Sequence, residues 1–134
     1  MRVTCNANTG KALTTKYLIG YTSESIFHVA IGREYTVFAV AVYRGATLLL
    51  LSDDNDLPNW YPVDLFSISD ARVPQDWFSA TYPENSDSLQ FLFGYERLVS
   101  DESHYDGLLE RVPADLAAFR MEKAKRESLA QTSS

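Results

Sequence analysis

Three observations predict an α+β fold. Residues 36–69 carry short apolar runs separated by tight polar turns, the pattern of antiparallel strands. Two of those runs are apolar on both faces, so they need cover on both sides. Beyond residue 100 the apolar residues recur at three- and four-residue spacing, which is helical.

A chain of 134 residues fits one domain, 1–134. That length buries about two thirds of the unfolded chain's surface, enough for a core without metal or disulfide. A hydrophobic content of 46% and a charged content of 22% belong to a globular chain, not a disordered one. The single cysteine, Cys5, cannot form an internal disulfide, which fits a reducing compartment, and in a first strand it reads as a small buried apolar residue. The start, Met1 to Asn6, lacks the apolar stretch of a signal peptide. No run approaches the ~18 apolar residues of a membrane span. A soluble, cytoplasmic protein is expected, with no membrane partner.

The elements follow in order. Arg2 to Cys5 alternates as a short strand, and Asn6 to Gly10 is a turn cluster. Gly10-Lys11 lacks the glycine and the Ser/Thr of a phosphate loop, because Cys5 and Ala12 stand in those places. Residues 16–21 and 25–30 show no clean period. From Thr36 to Tyr43, Phe38, Val40 and Val42 share one face, and Val37, Ala39, Ala41 and Tyr43 the other. Arg44-Gly45 makes a hairpin, and Ala46 to Leu51 returns as a second doubly apolar strand. An acidic turn, Asp53 to Asp56, leads to a strand through Trp60-Tyr61, which Pro62 ends. Val63 to Phe66 fits one helical turn before a last strand, Ser67 to Ser69. These short strands with one late helical turn predict a small SH3-like β-barrel over about residues 1–70.

An extension over about residues 71–130 then packs a strand and helices across that barrel. Val73 to Trp77 reads as a crossing segment, residues 82–88 as a polar loop, and Leu89 to Tyr95 as a strand. Ser103 with Asp106 resembles a capping box for a helix through Arg111, and Pro113 suits the first turn of a final helix. Leu109, Val112, Leu116 and Phe119 form its apolar stripe, while the tail from Arg120 is charged, then polar, and is expected to fray.

Gly32-Arg33-Glu34-Tyr35-x-Val37, Leu51-x-Asp53-Asp54 and Trp60-Tyr61-Pro62-x-x-Leu65-Phe66 together resemble a "GKxYxV … DD … WYPxxLF" pattern of small bacterial SH3-like domains. Arg33 stands where the pattern has Lys. Gly94-Tyr95-Glu96-x-Leu98, His104-Tyr105-Asp106 and Phe119 are similar to the tail of some of them. Most such domains have no assigned function, and some are immunity proteins beside bacterial toxins. The resemblance implies a fold and a binding role, and no activity.

Candidate chemistry is sparse. His28 sits among Ile26, Phe27 and Val29, which predicts a core or boundary histidine, and His104 at a helix start is expected to be exposed. Neither completes a nucleophilic arrangement with Cys5. Asp53-Asp54-Asn55-Asp56 offers hard oxygens without the spaced ligands, glycine and distant Glu of a calcium loop. No catalytic residue, metal or cofactor is therefore assigned, and the protein is not expected to be an enzyme. A net charge of −6, with acids flanking the aromatic segment 60–66, argues against nucleic acid. The expected function is an immunity-type inhibitor of a basic toxin domain, through Asp53, Asp54, Asp56, Glu84 and Asp87, with Trp60 or Tyr61 facing the partner. The alternative is a peptide-binding or self-associating adaptor with an aromatic groove near Tyr35 and Trp60.

Overall fold

Val37 and Phe38 divide what the sequence reads as one strand. In the computed structural model, which describes residues 1–14, 20–82 and 88–132 with side chains to residue 128, the Val37 N–H donates to the Met1 carbonyl and the Phe38 N–H to that of Leu50. The chain thus passes from one sheet to another at this bend. In chain order the strands are β1 (Arg2–Cys5), β2 (Glu34–Thr36), β3 (Ala39–Tyr43), β4 (Ala46–Ser52), β5 (Pro58–Pro62), β6 (Phe66–Asp70), β7 (Trp77–Thr81) and β8 (Leu89–Tyr95). The helices are α1 (Glu96–Ser100), α2 (Glu102–Leu109) and α3 (Pro113–Thr132).

The fold is α+β, with antiparallel sheets in the orders β2-β1-β6 and β5-β4-β3-β8-β7. The described strands do not close into a barrel. Residues 89–95, expected to pack across the first 70, instead pair in the same sheet as β3, and β7 adds the outer edge. Trp77 opens β7 rather than anchoring a crossing segment. Gly94 permits the close β3–β8 approach, since a Cβ there would lie 2.5 Å from the Ala39 Cβ. Arg44 and Gly45, at φ 52° and 81°, make the expected hairpin turn. The turn after Pro62 is a single 3-10 turn, Val63–Leu65.

Both faces of the five-stranded sheet are covered, as the doubly apolar strands require. Leu49, Leu51, Tyr61 and Phe93 pack into a core with Val3, Cys5 and Leu65 beneath the three-stranded sheet. Leu50, Ala39, Ala41 and Leu92 face the opposite way, into a second core with Leu98, Leu108 and Phe119 of the helices. Successive residues of one strand therefore serve different cores, as the alternation of a pleated strand dictates. Each large side chain so buried contributes about 1.5–3 kcal/mol.

The helices depart from expectation in three places. Asp101, not Ser103, caps α2, accepting from the Ser103 N–H. Leu108 rather than Leu109 turns inward; Leu109 is 55% exposed and Val112 is exposed as well. The segment from Arg120, expected to fray, continues α3 to Thr132. Helix α2 ends with Arg111 in a left-handed conformation at φ 60°, which its guanidinium fastens to the Pro58 carbonyl and the Asn59 side chain. Among the described residues no helix is long and apolar enough to cross a membrane.

Phe119 is the apolar centre of the α3 contact, edge-on to Phe38 at 5.0 Å between ring centroids. Phe119→Ala should lower the unfolding free energy in urea by about 3–5 kcal/mol. A loss below about 1 kcal/mol would mean that α3 does not share the second core.

Candidate functional site

The acidic turn divides into one buried and two surface carboxylates. Asp53 is 5% exposed. Its Oδ2 accepts from the Tyr61 hydroxyl at 2.7 Å and from the Asn59 amide at 2.6 Å, while Oδ1 accepts from the backbone N–H groups of Asn55 and Leu57. The turn is short, so its first carboxylate folds back over its own N–H groups, and β5 brings Asn59 and Tyr61 to the other oxygen. Burial works against the charged form, but the donors, led by Tyr61 and Asn59, hold the carboxyl below its usual range. Burial first, then the bond to Asp53, pushes the Tyr61 phenol well up. Asp53 is a strut of the hairpin, its carboxylate turned into the fold.

Asp54 and Asp56 reach the surface already engaged. Asp54 Oδ1 accepts from the Arg33 guanidinium at 2.8 Å and from the Tyr35 hydroxyl at 2.7 Å. Burial, then this bond, pushes the Tyr35 phenol up to about 12. Asp56, at φ 58°, meets Lys123 of α3 at 3.0 Å, and that bond lowers its pKa. The turn, β2 and α3 together border a groove of 330 Å³, within the size range of ligand sites. Its lining includes Arg2, Arg33, Glu34, Phe38 and Glu127. Arg2 pairs with Glu34 at 2.8 Å, so most of the groove's charge is matched from within.

Trp60 and Tyr61 point to opposite faces, as expected of consecutive strand residues. Tyr61 lies in the first core, and half-buried Trp60 in the second, its ring 6.0 Å from that of Tyr105. Tyr35 belongs to the first core, so Tyr35 and Trp60 do not line one aromatic groove. Glu84 and Asp87 lie outside the described residues, as does most of the polar loop assigned to 82–88.

Both histidines depart from expectation. The His28 side chain is exposed, and its carbonyl accepts from the Asp54 N–H. His104 is 0% exposed, its Nε2 2.7 Å from the Tyr95 hydroxyl and its Nδ1 2.8 Å from Asp115 Oδ1. This chain ties β8, α2 and α3 together. Gly107 makes room for it, since a Cβ there would lie 1.9 Å from Asp115 Oδ2. With every member buried or nearly so, it offers no reacting group to a substrate. Among the described residues no three His, Cys, Asp or Glu side chains converge as metal ligands.

The residues that sequence reasoning passed over are on α2 and at its C-cap, Glu110. Glu102, Asp106 and Glu110 are exposed, and their i, i+4, i+8 spacing puts them on one helix face beside exposed Leu109. Among the described residues none of the three has a salt-bridge partner, unlike Asp54, Asp56, Asp70 and Asp76. The spacing was the signal that could have revealed them. Leu109, Trp60, Pro58 and Arg111 border a shallow apolar notch next to that face. A scan against protein-family models and searches of curated proteins and of solved structures find no match to this chain.

Asp53 predicts the acid behaviour. Its folded pKa is depressed, so its stabilisation is complete above the unfolded value near ~4 and is lost as pH falls through the folded value. Asp53→Asn should cost about 1–3 kcal/mol at pH 7. Its stability should then decline less steeply than wild type as pH falls below about 4. Equal slopes in urea titrations across that range would show that Asp53 carries no linked proton.

Proposed function

We propose that this protein is a non-catalytic binding protein of the immunity type, which neutralises a basic toxin domain by covering it with an acidic helix face. The observation that carries the reading is the Glu102–Asp106–Glu110 stripe. Like charges at i, i+4 destabilise a helix by about 0.2–0.5 kcal/mol per pair, and Glu110 stands at the end where the helix dipole disfavours an anion. Among the described residues none of the three forms an ion pair. A basic partner would relieve them, and Leu109 beside them supplies apolar contact area. The acidic surface moves accordingly from Asp53–Asp56 to α2, because the turn's carboxylates already have partners within the chain.

The resemblance of residues 32–66 to SH3-like domains fits this proposal. Supporting an SH3-like unit over β1 to β6 are the orders β2-β1-β6 and β5-β4-β3, the bend at Val37–Phe38, and the 3-10 turn before β6. In this reading the unit is a scaffold, and the helices that follow carry the interface.

The test begins with affinity capture of the partner from the native host and its identification. Glu102→Gln/Asp106→Asn/Glu110→Gln should then slow association about tenfold or more at low salt, with thermal stability unchanged or slightly raised. Unaltered association kinetics, or a captured partner that is acidic, would end the proposal.

A further inference from the structure

Over residues 120–128, the described side chains beyond Phe119, α3 is docked without a buried apolar side chain. Leu116 and Phe119 anchor the first half. From Arg120 to Ser128 the apolar side chains face outward, with Met121 75% exposed and Ala124 exposed. Ion pairs fasten this stretch to the strands. Lys123 Nζ lies 3.0 Å from Asp56 in the hairpin turn, and Lys125 Nζ lies 3.0 Å from Asp76, just before β7. Arg126 meets the same Asp76 at 2.7 Å and is braced by Glu122 at 2.8 Å. The same stretch lines the 330 Å³ groove through Lys123 and Glu127, together with Tyr35, Phe38 and Asp54.

Two properties follow. The two aspartates are exposed, Asp56 at 70% and Asp76 at 46%. Ion pairs at such positions hold weakly and are screened as the Debye length falls from about 10 Å at 0.1 M to about 3 Å at 1 M. A helix end whose docking contacts are gone frays more readily than its anchored part. Phe119 and the His104–Asp115 contact keep the first half in place regardless.

We propose that residues 120–128 are a charge-latched flap over the groove, fastened at Asp56 and Asp76 and hinged at Phe119. Screening or neutralising the two aspartates releases the flap, and its release opens the groove along the side of Asp54, Asp56 and Phe38. The flap lies apart from the α2 stripe and does not depend on what that stripe binds.

Hydrogen exchange read by mass spectrometry on the full chain tests it, comparing wild type with Asp56→Asn/Asp76→Asn. Asparagine tolerates the left-handed backbone at position 56, so the variant removes charge without straining the turn. At low salt the variant should exchange about tenfold faster over 120–128 while 113–119 and the strands stay protected. Wild type in 1 M NaCl should show the same local change. Unchanged exchange over 120–128, or equal acceleration along the whole chain, would overturn the flap.

Discussion

Covering the five-stranded sheet on both faces is the constraint from which the other features follow. β3 and β4 present apolar side chains alternately to either side, so a single layer packed on them would leave half in water. One cover comes from the three-stranded sheet, and forming it requires the chain to bend at Val37–Phe38 so that β2 can pair with β1. The other comes from the helices, and placing them requires β8 to join β3 before α1 begins. Gly94 and Gly107 stand where strand meets strand and helix meets helix too closely for a Cβ.

Polar chemistry inside this frame is spent on fastening. Asp53 ties the hairpin turn to β5, and His104 ties Tyr95 to Asp115. Arg111 closes the end of α2 onto Pro58 and Asn59. Asp53 and His104 are thus buried and satisfied, with their hydrogen-bonding capacity used within the fold, and of the two histidines only His28 is exposed. Among the described residues, Glu102, Asp106 and Glu110 are exposed acids without ion pairs at one helical spacing beside Leu109, which is why α2 carries the functional proposal.

Much of the fold was legible because it depends on local rules. The Arg44-Gly45 hairpin, the turn after Pro62 and the start of α3 at Pro113 each follow from the backbone preferences of a few adjacent residues. The need for two covers was legible from the absence of a polar face on β3 and β4. The break at Val37–Phe38 was not, because it depends on Met1 and Leu50, which are distant in sequence. His104 looked like a surface residue because its two partners belong to other elements. The same cause extended α3 beyond its expected fraying point: Asp56 and Asp76, about fifty residues or more away, hold its charged half. Leu108 and Leu109 are neighbours, and which one turned inward depended on the exact start of α2, set by the cap at Asp101 rather than Ser103.

The two-sided sheet can be tested at one pair of adjacent residues. Leu49 and Leu50 lie side by side in β4, yet one is buried in each core. Urea unfolding of Leu49→Ala and Leu50→Ala should each show a loss of about 2–5 kcal/mol, because each leaves a cavity in its own core. If either variant stayed within about 0.5 kcal/mol of wild type, the face it occupies would be uncovered in solution, contradicting a sheet packed on both sides.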